Sequence, residues 1–113
     1  QMGAVYDRQR YHRAGSGGQR DANLHQNITD LATALRPTLN LLDATRALTT
    51  NGPKGPGIVK QTGTVIGGSD IVAVDALGAK LLGLNPEDIG HIRLAAEAGL
   101  GEMDEAKMKL ARV

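Results

Sequence analysis

Residues 65–84 read Val65-Ile66-Gly67-Gly68-Ser69-Asp70-Ile71-Val72-Ala73-Val74-Asp75-Ala76-Leu77-Gly78-Ala79-Lys80-Leu81-Leu82-Gly83-Leu84. A β-branched pair runs into two glycines. Ser69 or Asp70 can then cap a helix, and residues 71–82 supply its apolar positions. The pattern is strand, tight turn, helix, which predicts an α/β domain. In such domains ligands gather where the carboxyl ends of strands meet helix N-termini. Asp70 at the helix start has an ordinary structural role, because its carboxylate can accept backbone N–H bonds and its charge suits the helix dipole. Asp75 is different: it falls between Ile71 and Leu82 on one side and Ala79 on the other, and so interrupts an apolar face. An unpaired buried carboxylate is costly, so Asp75 needs a partner or a cleft. Two readings stay open: a hydrogen bond to the Asn51-Gly52 turn or the end of a strand over residues 39–43, or direct contact with a ligand.

Outside this stretch, composition narrows the field. At 113 residues the chain is long enough for one core. With two Tyr and no Phe or Trp, that core must be aliphatic. The same shortage weakens nucleic-acid modules that stack bases on aromatic rings. The absence of cysteine excludes disulfides, thiolate zinc sites and cysteine-ligated iron–sulfur clusters within this chain. It also fits a reducing compartment, and with no signal-peptide pattern and no apolar run long enough for a membrane span, a cytoplasmic location is expected. The net charge of +1 is unevenly spread: Arg8, Arg10, Arg13 and Arg20 stand against Asp7 alone in the first 20 residues. Residues 1–20 are therefore expected to form a basic, Gly-rich arm, and residues 21–113 a single α/β domain. The chain opens on Gln1 and runs at once into motif-like sequence, as expected of a piece of a larger domain.

Along the chain, Asp21 or Asn23 can cap a helix whose apolar stripe is Leu24, Ile28, Leu31 and Leu35; it should end near Arg36 because of Pro37. His25 lies off that stripe and is expected to be exposed. Residues 39–43 read as a buried strand with Asp43 at its carboxyl end. The Gly- and Pro-rich run from Asn51 and Gly52 through Lys54 to Gly57 is a loop. It lacks the Walker pattern, but Lys54 and backbone N–H groups could meet an anion there. Residues 58–61 and 64–67 are two strands, or one strand interrupted near Gly63. Asn85 and Pro86 start a last helix over residues 87–98 with Ile89, Ile92 and Ala96 on one face and His91 opposite, toward solvent. Residues 108–113 could add a final strand.

Three segments together carry a resemblance: L-D-A-T-R-A-L-T-T-N-G-P-K-G-P-G (residues 42–57), the stretch 65–84, and P-E-D-I-G-H-I-R-L-A-A-E-A-G-L-G (residues 86–101). With M-G-A-V-Y-D-R-Q-R-Y-H (residues 2–12) ahead of them, they resemble the family known as domain of unknown function 362. The resemblance implies a prokaryotic protein and, in a longer parent, an iron–sulfur segment; this chain itself implies no cofactor. Ile71 stands where the family usually has Pro after the Asp, so the helix start is less pre-organised.

The expected function is the ligand-binding part of a prokaryotic, iron–sulfur-linked redox enzyme whose remaining parts lie elsewhere. The alternative is a non-catalytic binding or scaffold domain. In the first reading Asp43, Asn51, Gly52, Asp70 and Asp75 converge on a cleft for a small or anionic ligand. Lys54, Arg8 and His12 assist them. Nucleic-acid binding through the arginine arm is the weakest reading. Three aspartates and loop carbonyls would suit Mg²⁺ or Ca²⁺. However, EF-hand spacing is absent and His12, His25 and His91 are scattered, so no metal site is assigned. Oligomeric state is not encoded in any motif.

Overall fold

The computed structural model describes residues 18–51 and 55–113 together with Tyr6, and only the backbone of residues 18–20. Among the described residues the first helix, α1, spans Gly18–Ala34, starting before the expected cap and stopping three residues short of Pro37. The buried line on α1 is centred on Thr29 and Ala32, with His25 and Ile28 partly buried beside them. This line is rotated from the Leu24-Ile28-Leu31-Leu35 stripe, and Leu35 is exposed. The helix therefore docks through its smaller residues, which allow a closer approach than a leucine ridge would.

Strands β1 (Asn40–Asp43), β2 (Arg46–Leu48), β3 (Val59–Gln61) and β4 (Val65–Gly68) form an antiparallel ribbon. β1 pairs with β4, so residues 39–43 and 64–67 are neighbours as expected, and β2 pairs with β3. Register explains why the ribbon is interrupted. Asp43 faces Val65, and Arg46 faces Gln61. Two residues on one side thus span three on the other, which is a β-bulge. The Thr45 carbonyl accepts both the Thr62 N–H (3.1 Å) and the Gly63 N–H (3.2 Å), while Ala44 N–H donates to Thr64 O (2.9 Å). Gly63 supplies the left-handed backbone that this geometry requires, at φ +62°.

Helix α2 (Ile71–Leu81) follows β4 directly, with Asp70 as its N-cap. One side of α2 lies on the ribbon. A Cβ on Gly78 would meet the end of Leu42, and one on Gly68 would sit 3.3 Å from Val74 Cγ2. The absence of side chains at these two positions lets helix and ribbon close up. The other side carries Val72, Ala76 and Ala79 into the main core with Ile92 and Ala95 of α3 (Gly90–Glu97). Lys60 reaches from β3 to the Leu81 carbonyl at the α2 C-terminus (3.1 Å), a placement that also suits the helix dipole. α1 packs on α3, completing the helical layer. The result is the expected mixture of helices and strands, with the strands in two small antiparallel sheets that meet at the bulge. The outer face of the ribbon leaves Leu39, Leu41 and Val65 exposed.

Two expectations change toward the C-terminus. The single helix over residues 87–98 is divided. Asn85 caps a 3-10 turn over Pro86–Asp88, Ile89 is extended, and α3 begins only at Gly90. Residues 108–113 are not a strand. Asp104 caps a 3-10 turn over Glu105–Lys107, and Met103 and Met108 pack against the core on either side of it. Lys80 holds Glu105 of this turn at 2.8 Å. Among the described residues no helix is long and apolar enough to cross a membrane.

Candidate functional site

Each expected site residue on the ribbon and at the start of α2 has its own structural partners. Asp43 Oδ1 accepts the Thr45 N–H (2.9 Å) and the Thr45 hydroxyl, closing the corner at the bulge. These bonds hold its carboxyl below the usual aspartate value. Asn51 sits at the hairpin tip with a left-handed backbone (φ 53°), and its side chain donates to Pro56 O (3.1 Å). Asp70 Oδ1 accepts the Ala73 N–H (2.9 Å), and Oδ2 accepts the Glu102 N–H (2.9 Å). Asp70 therefore caps α2 and fastens the segment after α3 to it. Gly52, Lys54, Arg8 and His12 lie outside the described residues.

The antiparallel register keeps these groups apart. Asp43 ends β1 and faces Val65, where β4 begins, whereas Asp70 follows Gly68, where β4 ends. The two aspartates therefore lie toward opposite ends of the β1–β4 pair, separated by about 3.3 Å per residue of strand. A common carboxyl edge, as in a parallel sheet, does not arise. Among the described residues no group of three His, Cys, Asp or Glu side chains could hold a metal ion.

Asp75 has a different setting from the hydrogen-bonded alternative read in the sequence. Its partner is on α3 rather than in the hairpin loops. Asp75 Oδ2 lies 3.9 Å from His91 Nε2. The pair borders a small cavity of about 30 Å³, walled by Ile28, Thr29 and Ala32 of α1 and by Ile71 of α2. The carboxylate is about half exposed (47%) and the imidazole less so (28%). Burial raises the Asp75 carboxyl above the usual aspartate value, against the opposing pull of His91. Burial likewise lowers His91, with Asp75 pulling it up and His25 pushing it down. The net directions favour the neutral form of each group, so loss of water outweighs mutual attraction.

His91 is not solvent-facing, and His25 is not off the buried side of its helix. The two rings stack with centroids 5.3 Å apart and an 18° angle between planes. His25 Nδ1 accepts the backbone N–H of His91 (3.1 Å) and lies 3.2 Å from His91 Nδ1. Helix α3 explains this arrangement. Its N-cap, Ile89, has no side-chain oxygen to satisfy the first turn. An imidazole from α1 does so instead. Gly90 leaves room for that ring, since a Cβ there would lie 2.7 Å from His25 Cδ2. The sequence signal for this pair was the Ile-Gly-His entry to α3, a helix start without Ser, Thr, Asp or Asn.

A family model described as Domain of unknown function (DUF362) matches residues 1–80. The chain belongs to the DUF362 family. Comparison with curated proteins and with solved structures gives no match. Within the DUF362 match lie His25 and Asp75, while His91 comes from the segment after residue 80.

Proposed function

We propose that this DUF362 chain is a ligand-binding module whose recognition point is the Asp75–His91 pair. The observation that carries the proposal is their spacing at the mouth of a mainly apolar cavity. At 3.9 Å the two groups are too far apart for a direct hydrogen bond, yet one polar group could touch both. The cavity has room for little more than a water, so it would receive the tip of a ligand while the rest stayed outside. A redox role linked to iron–sulfur chemistry would require thiolates from elsewhere, because this chain has no cysteine.

The scaffold reading draws support from a specific observation: Asp43 and Asp70 are both engaged in holding turns and caps. Titration of the 113-residue chain with ethylammonium chloride and, separately, sodium acetate distinguishes the two readings. A saturable NMR shift confined to Asp75, His91 and Ile71, and lost in Asp75→Ala, is expected from at least one probe. No localised shift from either probe would favour the scaffold.

A further inference from the structure

The choice of proton on His91 follows from the chemistry of its neighbour. The His91 backbone N–H can only donate, so His25 Nδ1, 3.1 Å away, must offer its lone pair. Neutral His25 therefore carries its proton on Nε2. His91 Nδ1 stands 3.2 Å from that same unprotonated nitrogen. Two lone pairs facing each other within hydrogen-bond distance would repel, so His91 Nδ1 brings the hydrogen, a demand that the 3.9 Å gap between His91 Nε2 and Asp75 does not make. That leaves His91 Nε2 bare, and this is the nitrogen that faces Asp75.

We infer that His25 is a positioning residue, which fixes His91 in the Nδ1–H tautomer and makes the Asp75–His91 pair a double acceptor selective for hydrogen-bond donors, an ammonium or hydroxyl group, over anions. The inference rests on the recognition role proposed above. An ionised carboxylate and a bare imidazole nitrogen both accept, and neither can donate to a carboxylate or phosphate. An ammonium group placed between them meets two acceptors at once. Its alkyl part can lie along Ile71 and Ile28 at the cavity wall. The chain of contacts runs from α1 through the first turn of α3 to α2. The packing of three helices thus sets which ligand chemistry the pair accepts.

Long-range ¹H–¹⁵N spectra of the histidine rings in the full 113-residue chain at neutral pH test this. The expected result is His25 protonated on Nε2 and His91 on Nδ1; a proton on His91 Nε2 overturns the inference. Two variants extend the test. Asn at position 25 keeps an acceptor near the Nδ1 position, so His25→Asn should preserve the His91 tautomer. His25→Phe keeps a stacked ring without the acceptor and should move the proton to Nε2; an unchanged tautomer in His25→Phe would also overturn the inference. If His25→Phe does not fold, the unsubstituted spectrum still decides. Ethylammonium should shift Asp75 and His91 while acetate should not; acetate alone doing so refutes the stated selectivity. Failure of both probes with the expected tautomers refutes the recognition role and leaves the positioning by His25 standing.

Discussion

Replacing Asp70 by Ala removes two hydrogen bonds of different kinds. The first is the N-cap bond to Ala73 N–H, and losing such a cap costs about 1 kcal/mol. The second is the bond to Glu102 N–H, which is partly buried. A backbone donor left without an acceptor in such a place costs about 1–3 kcal/mol. The expected loss is about 2–4 kcal/mol, a large share of the roughly 5–15 kcal/mol typical of a domain. Asp70→Asn should fall between Ala and the unsubstituted chain, because its amide oxygen can keep the cap while its NH₂ faces the Glu102 N–H. Urea unfolding followed by far-UV circular dichroism measures these differences, with an unchanged slope indicating an unchanged unfolded state. Gly101 adds an internal check. A Cβ there would run into Asp70 Oδ1, so Gly101→Ala should destabilise the chain, but less so when residue 70 is already Ala. A coupling of about 0.5 kcal/mol or more between the two substitutions is expected for groups in contact. Asp70→Ala unfolding within about 0.5 kcal/mol of the unsubstituted chain, or no coupling with Gly101, would refute the view that Asp70 joins α2 to the segment after α3.

Stability should fall as pH drops below the usual histidine value of 6.5, because buried His91 takes up its proton later than the unfolded chain does. Asp75 acts in the opposite sense. Its raised carboxyl lets the folded chain bind a proton first as pH falls toward 3.8, so its destabilising effect belongs to higher pH. Asp75→Asn should therefore raise the urea midpoint at neutral pH; a lowered midpoint would contradict the burial argument. Gly63→Ala has open space for its Cβ but must adopt a positive φ, so a loss of about 1–2 kcal/mol is expected, read by the same unfolding assay. Gly90→Ala should displace the His25 ring and cost about 1–3 kcal/mol, partly offset by better helix propensity; unchanged His25 and His91 ring shifts would count against the close packing.

Local chemistry made much of the fold legible. The Gly67-Gly68-Ser69-Asp70 turn marked the end of β4 and the cap of α2 because both signals act within a few residues. Pro86 after Asn85 marked a helical start for the same reason, although the segment paused at Ile89 before α3 began. Gly63 was seen as an interruption, and register shows it to be a bulge. The direction of strand pairing was not legible, and it decided the fate of the expected cleft. Three aspartate and asparagine positions near strand ends, Asp43, Asn51 and Asp70, suggest one site only if the strands run parallel. The histidines were missed because apolar periodicity counted only aliphatic side chains. On α1 the line in contact with α3 runs through His25, Thr29 and Ala32, where small and polar side chains permit close approach.

Asp75 stood out in the sequence as a carboxylate interrupting an apolar face, and its environment follows from the geometry of α2 as a whole. At about 100° per residue, Val74 and Gly78 point one way, toward the ribbon, and Val72, Ala76 and Ala79 point another, toward α3. Ala73, Leu77 and Lys80 occupy the side away from both. Ile71 and Asp75 fall in the narrow sector between the two packed faces. A large apolar side chain at position 75 would be held by neither the ribbon nor the core, and a carboxylate there keeps access to water while facing His91 at 3.9 Å. The third helix, α1, reaches this seam with Ile28, Thr29 and Ala32, and its His25 engages the opposite edge of the His91 ring. The one acidic group on an otherwise apolar helix face thus stands where three helices meet without filling the space between them. At this seam an apolar wall stands beside two polar groups.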